Sequence, residues 1–569
     1  MKIFKVLLLL AAIATSLVIT ALRPDEGTAY AKPEDFPVTI CGSAFRSLDP
    51  SVPVSLINGL GDLHYKITTR DSMAQKFFDQ GLKLVYGFNH VEALRAFKEA
   101  SRLDPSCAMC LWGQALTLGP NINDWNPKDR EAMAHEAITK AKEIGIKATQ
   151  KEKDLIIAMS VRYDGIPHDN RDQLNFAYRD AMERLSKKYP NDSETLVLYA
   201  DAIMTSMPWD YWNKDGSPKH QTVSARAALE AAMKKFPRHP GAHHMYIHLV
   251  EASGKPGDAR SSAEFLEDAM PAAGHIVHMP SHIYARIGEY ERSNNSNRNA
   301  IRADETFLSQ SDDQGLYRLG YYPHNIDFLH FGALMTGESA TALAEGSKLS
   351  FHVKALQSAL PAYYDYYSPA PIIAMVRYGK WTDILALPLP DGRYYLSAAI
   401  QRYARGVAFL RASRLNEAQA ELEVLESINN LDTLKTIYAF FNAHNQITDV
   451  AAKLLRGELL IAQGKVDDGL QQLEAAVVAE DDLRYNEPSD WRIPARHFLG
   501  AALYESGRVE DAQRVYEKDL MINPGNGWSL KGLENCQKKG GSSRDIQRTK
   551  ERFADVWKNG DVSISSSRF

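Results

Sequence analysis

The chain has 569 residues, 44% of them hydrophobic and 24% charged, with a formal net charge of −5 and a pI near 6.4. That is an ordinary globular balance, and it supplies no basic face, so nucleic acid is not expected as a partner. The length suits several domains or one long repeat array.

The N-terminus reads as an export signal. Lys2 and Lys5 form a short basic start, Val6 to Leu22 run without a charge, and Ala29-Tyr30-Ala31 offers a small-residue cleavage site before Lys32. The apolar stretch is long for a signal core and short for a spanning helix. Residues 1–31 are therefore expected to be a cleaved signal or a retained anchor, and residues 32–72 an extension ahead of the repeats. The mature chain is expected in the periplasm or outside the cell, at a membrane only if the N-terminus is retained. Four cysteines, Cys41, Cys107, Cys110 and Cys536, are too few for a disulfide scaffold. Cys107-Ala108-Met109-Cys110 is the close pair, and Leu111 stands where a c-type haem site needs His. A local disulfide, two buried thiols, or a redox or Cu(I) site with Met109 remain open.

Apolar residues then recur at helical spacing with little strand alternation. Small residues recur with them. From Met73 to Pro105, Gly81 and Leu84 fall in a first helix, and Ala93, Phe97 and Ala100 in a second. From Ile493 to Pro524, Gly500, Leu503, Ala512 and Tyr516 take the same relative places. Less regular units carry Ala225, Leu229, Ala232 and Pro237; Gly288 and Ala300; Gly406, Ala418 and Leu422; and Gly457, Leu473 and Ala476. Each small residue lets two helices approach, and no single unit can bury its apolar face, so neighbours must stack.

From about Met73 onward the chain resembles the tetratricopeptide-repeat superfamily. The resemblance implies an all-α fold: a right-handed α-solenoid of stacked helix-turn-helix repeats with loop insertions, whose first helices line a concave groove. The repeats divide into residues 73–308 and 309–562; whether this is one solenoid or two, with a break near 305–320, stays open. Residues 563–569 are expected to be a frayed polar tail. The blocks Gly241–Glu251, Gly274–Tyr284 and Tyr485–Arg496 also resemble a group of exported bacterial repeat proteins, a resemblance that implies no chemistry. Trp209–His220, Tyr363–Tyr367 and Asp482–Pro494 read as loop insertions, where function tends to lie.

Histidine placement is the sharpest signal. Of 17 in the chain, seven lie between His239 and His282: His239, His243, His244, His248, His275, His278 and His282. His244 and His248 are four apart, hence on one helix face, with Glu251 on the same stripe. His278 and His282 repeat the spacing 34 residues on, one repeat length. Stacked repeats put equivalent positions side by side, about 10 Å between axes. His244, His248, His278 and His282 are therefore expected to meet at one metal ion on the concave face, with His324 in reserve. Glu251 would be a ligand, or the base that orients a metal-bound water. Pro280 disfavours helix at Met279, so His275 and His278 are expected in a loop and His282 in the first turn after it. Nitrogen donors point to copper, zinc or iron rather than calcium or magnesium; Met245 and Met279 favour copper, with zinc next. The competing reading is a hydrogen-bonded polar network, or histidines acting as acid and base in a substrate pocket.

Three further segments are candidates to close the groove. Asn121 and Asn123 read as local caps or as contacts to a polar ligand. Tyr322 and Asn325 flank His324 where the next first helix opens, and are candidate substrate contacts. Tyr485, Glu487 and Trp491 offer a buried acid beside an apolar wall, or loop packing. The Tyr363–Tyr367 run suits a sugar or peptide, or helix packing. There is no phosphate loop, no nucleophile elbow and no H-E-x-x-H pattern, since Met245 follows His244. The expected protein is thus an exported solenoid with a histidine-built metal centre. It would be a metal-dependent oxidoreductase or hydrolase, or a metal-handling protein, taking a small molecule or peptide in its groove. The alternative is a periplasmic scaffold that binds peptides or other exported proteins without catalysis.

Overall fold

A computed structural model describes residues 54–311, 315–438 and 440–569. The expected export signal and Cys41 lie outside the described residues. Among the described residues there is no strand, only isolated bridges at Asn121/Asp124, Trp212/Pro218 and Tyr438/Ala443. No described helix is long and apolar enough to cross a membrane. The fold of the described residues is all-α and built from successive paired helices, as the repeat pattern predicts.

The described residues form two compact units, one ending at Phe328 and the other beginning at Leu329. In the first, the helices are α1 Ser72–Tyr86, α2 His90–Leu103, α3 Ala108–Leu118, α4 Glu131–Ile144, α5 Gln150–Ser160, α6 Asp172–Lys188, α7 Ser193–Ser206, α8 His220–Lys235, α9 Pro240–Val250, α10 Arg260–Ala269, α11 Gly274–His278, α12 Pro280–Ile287 and α13 Tyr290–Leu308. A π-helical turn, Tyr317–Tyr321, leads into α14, Tyr322–Thr336. The second unit continues with α15 Ser339–Val353, α16 Pro361–Tyr367, α17 Ala370–Arg377, α18 Trp381–Ala386, α19 Tyr395–Arg411, α20 Leu415–Asn429, α21 His444–Ala462, α22 Val466–Asp481, α23 Ala495–Glu505, α24 Val509–Ile522, α25 Gly527–Gly540 and α26 Ser543–Val556.

Local chemistry starts these helices where the sequence places polar caps. Asp71 accepts from the amides of Met73 and Ala74 at 2.7 and 3.0 Å, Asn89 caps α2 through Glu92 N, and Thr149 with Glu152 forms a capping box at α5. The repeated small residues act as expected. Phe97 fills the space that Gly81 and Gly113 leave; a Cβ at either would stand 2.7 or 2.5 Å from its ring. Tyr516 is held in the same way between Gly500 and Gly532 in the second unit. One bulky side chain inserted between two glycines sets how closely successive helices pack.

Three expectations are corrected or resolved. Tyr363–Tyr367 is not a loop but the body of α16, started by Pro361 at its first position; Tyr363, Tyr366 and Tyr367 pack on Phe440 with centroids 5.2–6.2 Å apart. The tail is not frayed. Ser567 is fully buried, its Oγ donating to His497 O at 2.7 Å, and Phe569 packs on Trp528 with centroids 5.8 Å apart. Ion pairs from Arg568 to Glu458 and Glu505 hold it down, so its polar composition misled. Cys107 and Cys110 are joined in a disulfide at the start of α3.

Candidate metal centre

All eleven residues of α9 are buried. A helix wrapped on every side must satisfy its polar side chains within the protein. His239 does so at the N-cap, its Nδ1 accepting from Ala242 N and its Nε2 meeting Glu194 at 2.9 Å. His243 lies between Ser262 Oγ and Pro237 O. His244 and His248 instead turn toward other imidazoles. The chain returns through α11 and α12, with Met279 in the right-handed helical region between them. Pro280 therefore does not unwind the preceding residues. It occupies the first position of α12, where no amide is needed, and His275 and His278 are helical rather than in a loop.

Two clusters result. His244, His248 and His275 each offer a ring nitrogen within 4.8 Å of the others, and so do His278, His282 and His324. Five of the six side chains are buried, and His324 is partly exposed. The clusters adjoin, with ring centroids 5.6 Å apart for His248/His282 and 5.9 Å for His275/His278. The four histidines expected around one ion are thus shared between two triads. The reason is register. Cross-helix contacts join His244 to His275 and Glu251 to His282, both 31 residues apart. The expected offset was 34, so the second strand of the pairing is shifted by almost one helical turn.

The partners of these rings fix which nitrogen carries hydrogen. His244 Nδ1 lies 2.6 Å from the carbonyl of Tyr86, one of the last in α1 and so without an intrahelical donor. His248 Nδ1 meets Glu251 Oε1 at 2.9 Å, and His282 Nδ1 meets Glu251 Oε2 at 2.6 Å. His278 Nδ1 meets Asn297 Oδ1 at 2.6 Å, and Asn297 Nδ2 donates to Ser293 O, which sets the amide orientation. Carbonyl and carboxylate oxygens only accept, so each of these four rings carries its hydrogen on Nδ1. Each then presents an Nε2 lone pair. The His278 and His282 Nε2 atoms stand 2.6 Å apart, and His244 and His275 Nε2 stand 3.1 Å apart. His275 Nδ1 is buried without a hydrogen-bond partner. His275 can carry its hydrogen on Nε2 and donate to His244, whereas at His278/His282 two lone pairs face each other and repel unless a cation, a proton or a metal ion, lies between them. Oxygen acceptors behind Nδ1 are the usual outer shell of a metal-bound imidazole.

Burial pushes His244, His275 and His278 well below the ordinary imidazole value, and neighbouring imidazoles add to the effect. The rings are thereby kept neutral, as metal ligands must be. Aromatic rings form the wall. Phe88 lies on His244, His275 and His248, with centroids 4.4, 5.2 and 5.8 Å away. Phe328 covers His278, His282 and His324 at 4.6–5.0 Å. Trp209 stands edge-on to His248 and Tyr321 lies against His275. Among the described residues, three non-glycines have left-handed backbone: Phe88 at φ 55°, Trp209 at φ 60° and Ser413. A bulky residue there costs roughly 1–3 kcal/mol and persists where the surroundings enforce it. Two of the three are the rings over His248.

The remaining expected site residues divide. Glu251 is fully buried, with one oxygen at His248 Nδ1 and the other at His282 Nδ1, and so positions both rings. Asn123 ties the wall together, accepting from Trp209 Nε1 and donating to Tyr321 OH. Asn121 closes a local turn through the amides of Asn123 and Asp124. Tyr322 donates to Glu305 and Asn325 to Asp304. Asp304 is pushed up to about 7 by burial and abuts Gly274 so closely that a side chain there would collide. Glu487, Tyr485 and Trp491 belong to the other unit, where Tyr485 OH donates to Glu487 and Trp491 packs on Tyr403. Sequence reasoning passed over His275 as a ligand, and it passed over Tyr86, Phe88 and Asn297. Only His275 carried a local signal, being three residues from His278.

No known family profile and no curated protein sequence matches the chain. Among solved structures it is similar to human IFIT1, solved as a dimer with m7Gppp-AAAA (12% identity over 86% of this chain and 91% of that one, TM-score 0.32). Yeast Tom70 (10%, 85% and 93%, TM-score 0.27) and the Cut9–Hcn1 hetero-tetramer of the APC/C (11%, 85% and 74%, TM-score 0.28) are further examples. At these scores they carry no argument about the fold or the site.

Proposed function

We propose that this chain is an exported helical-repeat protein whose first unit holds a transition-metal centre built from histidine. The observation that carries the reading is the two histidine triads, each with three ring nitrogens within 4.8 Å of one another, with the His278 and His282 Nε2 atoms 2.6 Å apart and oxygen acceptors behind the Nδ1 atoms of four of the rings. Copper or zinc suits such donors best, with iron third. Three protein nitrogens leave a coordination position for water or substrate, the arrangement that catalytic rather than structural sites keep. The Cys107–Cys110 disulfide supports an oxidising compartment. Glu251, Asn297 and the Tyr86 carbonyl hold the ligands in orientation. The helix-pair fold itself favours a second reading, a scaffold for peptides or partner proteins in which the histidines are packing.

The two readings separate on one variant. His248→Ala is expected to abolish metal uptake with unchanged helical circular dichroism. A partner that binds equally well in strong chelator and to that variant, with no metal found in the wild type, would leave the scaffold reading standing.

A further inference from the structure

The second unit contains a small, partly open cavity of about 10 Å³, roughly the room that one water-sized atom needs. It is lined by Arg377 of α17, Arg411 of α19 and Arg568 of the tail, with Val407, Ile493 and Phe498 among its apolar walls. The three guanidiniums are unequally matched. Glu458 is buried and accepts from Arg411 Nη2 at 3.0 and 3.1 Å, and it also pairs with Arg568. Arg411 Nε donates to Phe569 O at 2.9 Å, and Arg568 reaches Glu505 at 2.8 Å. Arg377 is buried too, yet among the described residues no carboxylate lies in ion-pair range of it. Its Nε donates to the Leu334 carbonyl at 3.4 Å, its Nη2 donates to His497 Nδ1 at 3.0 Å, and its face rests on Trp528, 3.6 Å away. Asp519 stands beyond the His497 ring, at Nε2. Nη1 makes no hydrogen bond. Burial pushes Arg377 down to about 9, the mark of a cation with too little compensation.

The geometry points to a chloride ion in this cavity, bound among Arg377, Arg411 and Arg568. A buried cation is costly unless an opposite charge accompanies it, and Arg377 has no carboxylate beside it. Size and walls select the anion. A carboxylate or a phosphate needs more room, and its several oxygens need donors that Val407, Ile493 and Phe498 do not have. A monatomic anion takes one position and accepts from whichever guanidinium N–H groups face it. The ion has a structural consequence. Arg377 belongs to α17, Arg411 to α19 and Arg568 to the tail, so one negative charge ties the three segments together. Without it the guanidiniums repel one another. The inference stands apart from the metal reading, because every residue in it belongs to the second unit.

The test uses the full chain. Crystals grown with bromide as the only halide should show one anomalous peak among the three guanidiniums. A cavity filled by water, with no anomalous signal, overturns the proposal. In solution, replacing gluconate by chloride at fixed ionic strength should raise the urea midpoint of the wild type, since a ligand held by the folded state stabilises it. Arg377→Gln should lose both that rise and the anomalous peak while keeping its helical circular dichroism. An equal rise in the two proteins would be a general salt effect and would overturn the site. Acetate matching chloride would overturn the choice of a monatomic ion. Should Arg377→Gln fail to fold, the bromide map of the wild type decides alone.

Discussion

Buried histidines occur in both units, and they are arranged in opposite ways. In the second unit, His497 is fully buried and both ring nitrogens are occupied: Nδ1 receives a hydrogen bond from Arg377 at 3.0 Å, and Nε2 donates to Asp519 and Asn526 at 3.0 and 3.1 Å. Asp519 in turn accepts from Ser529 and Asn526. Every donor there finds an acceptor, which is what a core histidine requires. In the first unit five of the six rings are as deeply buried, but the acceptors stand behind them and the His278 and His282 lone pairs face each other. Burial and a depressed imidazole therefore do not mark a ligand, since His497 shares both. The direction of the second lone pair does.

That contrast can be broken in order of expected effect. Replacing His278 and His282 together by Ala should empty the second triad entirely, seen as a fall in bound metal with helical content intact. Retention of full metal content would mean the rings are packing. Asp519→Ala should have the reverse pattern. Removing one partner of a buried ionic hydrogen bond costs about 3–5 kcal/mol, read as a shift of the urea midpoint, while metal content stays at the wild-type level. If metal fell with it, the two histidine environments would not be independent in function. Glu251→Gln keeps the shape but loses an acceptor behind one ring, and second-shell changes of this kind weaken metal binding by roughly 10–100-fold. Competition with a chelator of known affinity measures it; unaltered affinity would remove Glu251 from the centre.

The smallest effect is acid sensitivity of the metal-free protein. His244, His275 and His278 lie well below the ordinary imidazole value of 6.5 through burial. The unfolded chain therefore takes up protons on them that the folded chain refuses. Stability from this source is fully present above about pH 6.5 and declines as pH falls below it. Replacing the three by Gln should flatten that decline in a series of urea melts; an unchanged slope would place the acid sensitivity elsewhere.

How much of this could be read in the sequence depends on range. The helix pairs were legible because their determinants are local: Asp71 and Asn89 as caps, and glycines opposite Phe97 and Tyr516. The His244/His248 and His278/His282 spacings were legible for the same reason. Their division into two triads was not, because the register between helices shifted to 31 residues through α11, whose helical continuation past Met279 the Pro280 rule argues against. Asn297, the Tyr86 carbonyl and the strained Phe88 come from distant parts of the chain, and no spacing announces them. The polar composition of the tail suggests fraying, but Ser567 and Arg568 are bound by partners far away in sequence.

The central claim is that the converging Nε2 lone pairs hold metal. X-ray absorption at the metal edge of the purified, copper-loaded chain tests it most directly. The account predicts a first shell of nitrogen at about 2.0 Å, with the outer-shell scattering of imidazole rings, lost when His244 and His282 are both replaced by Ala. A shell of sulfur or carboxylate oxygen, or an unaltered spectrum in that variant, would contradict it.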